Sequence, residues 1–278
     1  MDILAGLLKL FDLRGLLLFT AVFVPIEQIF SLHRSQKVFR KQFLTDLLYV
    51  IINPLPIALG LAALTLWVVG SLSGVVPGAI PNAIRSQPLV VQLLEALVIG
   101  DVGIYLAHRA FHEIPFLWKF HEIHHSAEAM DWIVSFRAHA VDQIVSSAAR
   151  NIPLFLLGYS DAAIGLYLLI FSWHSLLAHA NIKMNWGIFN WLIVSPQFHH
   201  WHHANERNSY NRNYAAIFPL MDMIGGTLQM PQKDEYPQQY GVDTPVASGY
   251  FAQFIGPFLP RRLRLRLGRR PTESAPGP

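Results

Sequence analysis

The chain has 278 residues, of which 53% are hydrophobic and only 14% are charged. Soluble domains carry about 25% charged residues, so this composition indicates a protein largely surrounded by lipid. The absence of cysteine excludes disulfides, iron–sulfur clusters and thiolate zinc sites, and it leaves histidine and carboxylate as the strong metal ligands. The net charge of +3 is mild and the basic residues are clustered, which favours membrane orientation over nucleic-acid binding.

The N-terminal region predicts a short interfacial helix followed by a first membrane span. Residues 1–14 alternate apolar patches with basic residues, as interfacial helices do. Residues 15–32 are apolar and long enough to cross a bilayer. The next loop is densely basic and should therefore be cytoplasmic, with Arg34, Lys37, Arg40 and Lys41.

The following apolar stretches predict two more spans and a helical hairpin. Residues 43–70 predict one long span with a kink where Asn53 meets Pro54, and residues 88–107 predict a span that leads directly into the first histidines. Residues 141–158 and 161–180 predict a hairpin that enters the bilayer and returns. This topology places every histidine-rich segment on the cytoplasmic side.

We therefore expect an all-α integral membrane protein with about four transmembrane helices, namely three spans plus a hairpin counted as one or two. A cytoplasmic helical cap would hold a histidine-rich di-metal site. The expected division is an N-terminal transmembrane region (1–87), a catalytic domain (88–232) and a basic cytoplasmic tail (233–278). The basic run at residues 261–270 is compatible with a lipid-headgroup anchor or with a solvated tail.

Histidine is concentrated in three short motifs. Twelve of the 13 histidines lie between His108 and His203. The motifs read HRAFH, HEIHH and HHWHH, and their members at helical spacing are His108 and His112, then His121, His124 and His125, then His199, His202 and His203. Residues at i, i+3 and i+4 share one face of a helix, so each motif can point two or three imidazoles at one centre.

These eight histidines, together with His179 from the returning hairpin, exceed what one ion can hold, because zinc takes four ligands and iron up to six. Two metal ions are therefore predicted. His139 and His174 are open between direct ligands and supporting residues. His200 should face outward or support a ligand, and His33 should lie on the surface.

HEIHH also matches the HExxH signature of zinc proteases. In that alternative, His121 and His125 hold zinc and Glu122 activates water, which gives an intramembrane metalloprotease. Such a site needs only one further ligand and leaves the remaining clustered histidines without a role. A metal carrier is a third possibility, although its spans should contain more polar residues than these do.

The order HxxxH, HxxHH and HxxHH resembles the fatty acid hydroxylase / sterol desaturase superfamily of integral-membrane di-metal enzymes. The resemblance continues through HHSAEAMDW, RAHAVD, LLAHANI and SPQFHHWHHA, and it covers about residues 92–230. The stretch NRNYAAIFPLMDMIGGTL departs from the family pattern at Ala215, Met221 and Gly225, but it retains Asp222 and Thr227.

The resemblance implies two non-haem iron ions, which zinc can replace in isolated protein, and O₂ as co-substrate. It implies oxidation of an unactivated C–H bond of a lipid, such as a sterol or fatty acyl chain, to an alcohol or an alkene. Asp142, Asp222 and Glu113 are candidate acceptors for imidazole N–H groups, and Arg137 is a candidate to orient such a carboxylate.

The resemblance also implies an external electron source. The sequence has no GxGxxG dinucleotide motif, no cysteine for an iron–sulfur cluster and no haem domain. A separate ferredoxin or cytochrome b5-like donor with its reductase is therefore expected, together with a lipid substrate that enters from the bilayer. No nucleic-acid partner is expected.

Overall fold

The computed structural model describes residues 13–72 and 74–268, which form helices joined by short loops. Within these ranges β structure is confined to two isolated bridges, Ser31 with Ile182 and Ala204 with Tyr240. The α-helices are α1 (Leu13–Ile29), α2 (Phe43–Ile52), α3 (Pro54–Leu72), α4 (Ala79–Ser86), α5 (Leu89–Glu113), α6 (Pro115–His125), α7 (Ala140–Leu157), α8 (Asp161–His179), α9 (Pro196–His202), α10 (Leu220–Gly225), α11 (Tyr250–Ile255) and α12 (Arg261–Gly268). Short 3-10 helices occur at Trp132–Phe136, Gly187–Trp191, Arg207–Ser209 and Gly256–Phe258. Of the interfacial helix predicted for residues 1–14, all but the last two residues lie outside the described ranges.

Within the described ranges, three helices are long and apolar enough to cross a bilayer, namely α3, α5 and α8. Helix α5 is the longest, with 25 residues, and its C-terminal part carries His108 and His112. Helix α1 has 17 residues and contains Pro25. The expected all-helical membrane architecture is supported in this coarse form, while the total of about four spans stays a prediction.

The predicted kink between residues 43 and 70 separates α2 from α3. Asn53 lies at the break, and its buried side chain makes two hydrogen bonds. Its amide nitrogen donates to the carbonyl of Ala138 at 2.7 Å, and its amide oxygen accepts from the Tyr250 hydroxyl at 2.8 Å. The break therefore connects the N-terminal helices to the segment before α7 and to the C-terminal region.

Helices α7 and α8 occupy the two segments of the predicted hairpin, but each packs mainly on α5 rather than on the other. Gly158 ends α7 with a φ of 82°, a left-handed conformation that favours glycine, and the Ser160 hydroxyl caps α8. Helix α7 packs closely on α3 and α5. At Gly103 of α5, an added Cβ would collide with the carbonyl of Ala149, so glycine allows the two backbones to approach.

The basic loop after α1 lies at the histidine-rich end of the bundle. Arg40 pairs with Asp131 at 2.7 Å, and Lys41 pairs with Glu128 at 3.2 Å. Both acidic residues follow the second histidine motif closely. The loop and the histidine clusters therefore share one end of the bundle, as the topology prediction requires.

Candidate metal centre

The nine histidines predicted as ligands lie together and form two groups. They come from α5, α6, α9 and the C-terminal end of α8, with His203 at the C-terminal cap of α9. Within each group, one ligand atom from every histidine lies within 4.8 Å of the others. The five-histidine group contains His108, His112, His121, His125 and His202, and the four-histidine group contains His124, His179, His199 and His203.

Each motif points two imidazoles at one centre, and the second and third motifs each supply their third imidazole to the other group. His121 and His125 belong to the five-histidine group, whereas His124 belongs to the four-histidine group. Successive residues on a helix point about 100° apart, so adjacent histidines face two different neighbouring centres. His202 and His203 divide in the same way. The rings of His125 and His203 stack across the boundary with their centroids 4.4 Å apart.

Five of the nine rings have Nδ1 within hydrogen-bond distance of an oxygen acceptor. The pairs are His108 with the Tyr214 carbonyl (2.8 Å), His121 with the Asp142 carboxylate (2.7 Å), His124 with the Arg137 carbonyl (3.0 Å), His179 with the Ser175 carbonyl (2.7 Å) and His202 with the Arg212 carbonyl (2.8 Å). Carbonyl and ionised carboxylate oxygens only accept hydrogen bonds. Nδ1 therefore carries the proton in each neutral ring, and the lone pair lies on Nε2.

The Nε2 atoms of these rings face one another at distances that suit a shared cation. His108 and His121 approach to 3.0 Å, and His124 and His179 approach to 3.2 Å. Burial lowers the pKa of His121 and of His124 well below the usual value, which favours the neutral form with a free lone pair. Facing lone pairs repel, whereas two nitrogens bound about 2.1 Å from one metal ion at about 90° lie about 3.0 Å apart. The geometry of each group therefore fits a metal ion.

Two buried carboxylates, those of Asp222 and Asp101, hold the loop that supports His108. The Asp222 carboxylate accepts from the backbone N–H groups of Tyr214 (2.7 Å) and Ala215 (2.8 Å) and from the Thr227 hydroxyl (2.6 Å). Asp222 was expected to accept directly from an imidazole. It instead fixes the backbone of Tyr214, whose carbonyl accepts from His108.

Asp101 of α5 also supports the site, although it lies outside all three histidine motifs. Its carboxylate accepts from three successive backbone N–H groups, those of Ala216 (3.1 Å), Ile217 (2.8 Å) and Phe218 (2.8 Å). A lone carboxylate inside an apolar helix must find polar partners, and that requirement is the signal in the sequence. The three partners lie more than a hundred residues away and are backbone groups, so their identity has no signature.

We expect Asp101→Asn to lower the free energy of unfolding by about 1–3 kcal/mol, because an amide NH₂ would face a backbone N–H that has lost its acceptor. Thermal unfolding of the purified protein measures the change. Glu113→Gln, on the same helix, is the matched control because Glu113 is exposed and pairs with Arg109 at 2.8 Å, which should contribute under about 1 kcal/mol. Equal unfolding temperatures for the two variants would contradict the role given to Asp101.

Arg137 supports His124 through its backbone carbonyl rather than through its guanidinium group. That group forms a short ion pair with Asp46 and a hydrogen bond to Gln42. Arg40 bridges Asp46 (2.8 Å) to Asp131 (2.7 Å) in the same buried network. The expectation that Arg137 orients an imidazole-binding carboxylate is therefore wrong. The network instead fastens the segment that carries the Arg137 carbonyl to the N-terminal part of the chain.

Of the three carboxylates proposed to accept from imidazoles, Asp142 alone does so in the described part of the chain. It receives its hydrogen bond from His121 and a second one from the Ser146 hydroxyl at 3.1 Å. Glu113 instead pairs with Arg109 at the surface.

The remaining histidines lie outside both groups. His139 caps α7 by accepting from the Val141 N–H at 3.1 Å, and His174 lies near Trp186 with a buried Nε2. His200 is fully buried between the Tyr240 hydroxyl (2.9 Å) and the Ala180 carbonyl (3.0 Å), so of its two predicted alternatives the outward-facing one is wrong and the supporting one remains. Its second contact supports the segment that follows His179. His33 is half-buried with its ring near Tyr240, rather than fully on the surface.

Glu122 points away from both groups, which argues against the protease alternative. Its carboxylate is paired with Arg264 of α12 at 2.6 Å. A water-activating carboxylate must face the metal. The described part of the basic run, residues 261–268, thus packs on α6 through Arg264 and is not wholly a solvated tail.

We expect Glu122→Gln to retain the metal content of the wild-type protein, because Glu122 contacts none of the nine histidines' ring nitrogens. Elemental analysis of the purified variant checks this result. A loss of metal comparable to that in a His125→Ala variant would instead support the HExxH interpretation.

A cavity of about 230 Å³ connects the histidine groups to the interior of the helix bundle. Histidines from both groups line one end of it, namely His108, His121, His124, His179 and His199. Apolar residues from the three candidate membrane helices line its walls, among them Leu61, Ile104 and Leu168. The cavity therefore joins the candidate metal centre to the apolar layer of the bundle.

Comparison with known proteins assigns a family to this arrangement. Residues 93–227 match the family model described as fatty acid hydroxylase. The chain is 33% identical over 190 residues to ornithine lipid hydroxylase OlsE of Rhizobium tropici, covering 67% of this chain and 56% of that protein. It is 27% identical to human alkylglycerol monooxygenase (52% of this chain, 32% of that protein) and 31% identical to very-long-chain aldehyde decarbonylase GL1-1 of Oryza sativa subsp. japonica (51% and 24%).

The chain thus spans about half or less of the length of these curated relatives. No solved structure matches it significantly. The family match contains all nine grouped histidines and the carboxylates that support them. Through this region, the chain belongs to the fatty acid hydroxylase family.

Proposed function

We propose that this protein is a membrane-bound di-iron oxygenase that hydroxylates an unactivated C–H bond of a lipid. One observation carries the proposal: histidines of both groups line a single cavity between apolar helices. Hydroxylation is favoured over desaturation because two of the relatives are named as a hydroxylase and a monooxygenase.

The donor set favours iron over zinc. One group offers five imidazoles and the other offers four. Zinc is usually satisfied by four ligands, whereas six-coordinate iron would keep one open position in the first group and two in the second. When bound there, two iron ions would supply the activation of O₂. His108, His112, His121, His125 and His202 would hold one ion, and His124, His179, His199 and His203 would hold the other.

The protein's own residues would hold the reacting groups in place. Asp142 and the carbonyls of Tyr214, Arg137, Ser175 and Arg212 would keep the Nδ1 protons of five imidazoles away from the metal side, so the Nε2 atoms of those five rings are available. The walls of the cavity would align one C–H bond of the lipid with the centre. Burial of seven of the nine histidines would limit the access of bulk water to the reacting atoms.

The reaction requires an electron donor. Hydroxylation inserts one oxygen atom of O₂ into the C–H bond and releases the other as water, with consumption of two electrons and two protons. We propose that a separate ferredoxin or cytochrome b5-like protein supplies the electrons. We further propose that the site faces the cytoplasm, which is supported by the basic loop at the same end of the bundle.

Lipid mass spectrometry of cells with and without the protein tests the function. We expect a lipid in the expressing cells whose mass is increased by one oxygen atom. A lipid that has lost two hydrogen atoms would indicate desaturation instead. An unchanged lipid profile in cells that contain iron-loaded protein and a functional donor would contradict the proposal.

A further inference from the structure

One face of α7 forms a polar wall along the cavity. Gln143, Ser146, Ser147, Arg150 and Asn151 all line it. Their spacing of i, i+3, i+4, i+7 and i+8 places them on one side of the helix. The cavity is therefore amphipathic, with apolar walls on the other helices and a polar stripe leading away from the histidines.

Arg150 is the cation of this stripe and lacks an acidic partner. Its Nη2 donates to the Ser147 hydroxyl at 3.1 Å, and its guanidinium group lies 4.1 Å from the centroid of the Phe171 ring. Its Nε is buried without a hydrogen-bond partner, and no carboxylate of the described residues lies within 4.0 Å. The neighbouring Asn151 also has a buried amide oxygen without a partner.

An arginine with a purely structural role is expected to be paired with an acidic group. Buried charges are paired or coordinated because desolvation of an isolated ion is strongly unfavourable, and an arginine among membrane helices is expected to have a specific partner. The fully buried Arg137 and the largely buried Arg40 show the usual outcome, since both are paired with Asp46. Among the described residues Arg150 has no acidic partner, and its side chain lines the same cavity as histidines of both groups.

We propose that Arg150 binds an anionic oxygen group, a carboxylate or a phosphate monoester, at the polar end of the lipid substrate. The guanidinium fork matches either group with paired N–H donors. This inference rests on the proposed lipid oxygenase function and adds the charge class of the substrate. Arg150 lies eight residues after Asp142 on the same helix, which is about 12 Å along its axis. The oxidised carbon would therefore lie on the order of 12 Å from the anionic group.

Equilibrium binding to the full-length, iron-loaded protein in detergent tests the inference without requiring turnover. The probes are hexadecanoate, hexadecyl phosphate and the neutral hexadecanol. We expect the wild-type protein to bind at least one of the anions at least tenfold more tightly than hexadecanol. The anion that binds more tightly identifies the group as a carboxylate or a phosphate. Binding of hexadecanol as tight as that of both anions would overturn the inference without any variant.

Variants assign the preference to one residue. Arg150→Gln should bind all three probes alike, while Arg150→Lys should keep part of the preference. Arg85→Gln is the matched control, because Arg85 is exposed, contacts the Gly158 carbonyl at 3.2 Å and does not line the cavity. It should behave as the wild-type protein does. An unchanged preference in a folded Arg150→Gln variant would overturn the role of Arg150.

The outcomes separate this inference from the proposed function. Arg150-dependent binding of an anion by a protein that oxidises no lipid would support the binding site and contradict the oxygenase. Lipid oxidation with no preference for the anions would support the oxygenase and contradict the binding site.

Discussion

Replacement of His199 with alanine should remove about one metal ion per chain and lower the rate of lipid oxidation more than about a hundredfold. His199 is one of four histidines in its group, and its Nε2 lies 3.0 Å from that of His179 and 3.1 Å from that of His203. Loss of residues that only orient a metal ligand typically reduces affinity or activity tenfold to a hundredfold, so loss of a ligand should exceed that range. Elemental analysis and a turnover assay measure the two effects.

The adjacent His200 supplies the matched control. It is equally buried but contacts Tyr240 and Ala180 instead of another histidine nitrogen. His200→Ala should lower the unfolding temperature, because it leaves a buried hydroxyl and a carbonyl without partners, yet retain both metal ions. If the two variants lost metal equally, the division of the third motif between ligands and support would be wrong.

Replacement of Asp142 with asparagine should weaken metal binding tenfold to a hundredfold. The Asp142 carboxylate fixes the Nδ1 proton of His121 at 2.7 Å and thereby leaves Nε2 as the lone-pair donor. A neutral amide accepts this hydrogen bond more weakly and stabilises less positive charge on the ring. Competition for iron between the protein and a chromogenic chelator measures the change.

Asp161→Asn is the control for this prediction, because Asp161 is an exposed carboxylate at the first turn of the adjoining helix α8. It should hold iron as tightly as the wild-type protein. Equal chelator competition curves for Asp142→Asn and the wild-type protein would show that Asp142 does not determine the basicity of His121.

Eight of the nine grouped histidines could be predicted from local helical spacing, and His179 from its place at the end of the returning hairpin. The nine predicted residues are the same nine that the two groups contain. Their division between the groups depends on how α5, α6, α8 and α9 approach one another, and spacing within one helix does not determine that. His124 and His125 illustrate the difference, since they share a motif and face different centres.

The supporting residues were harder to predict because most of them act through the backbone. Every residue has a carbonyl, so the acceptors at Tyr214, Ser175 and Arg212 have no side-chain signature. Asp222 was identified by its motif, but its actual partners are backbone N–H groups and a threonine hydroxyl. Arg150 acquires its significance from the cavity, which forms only when α7 packs against the other helices.

The central claim is that two histidine-bound iron ions oxidise a lipid with O₂. The most direct measurement supplies isotope-labelled O₂ and reductant to the iron-loaded protein in lipid vesicles and follows the lipids by mass spectrometry. We predict a lipid product that carries one labelled oxygen atom, with no such product from His199→Ala. Complete absence of label from every lipid, with two iron ions bound per chain and reducing equivalents supplied, would contradict the hydroxylation that we propose.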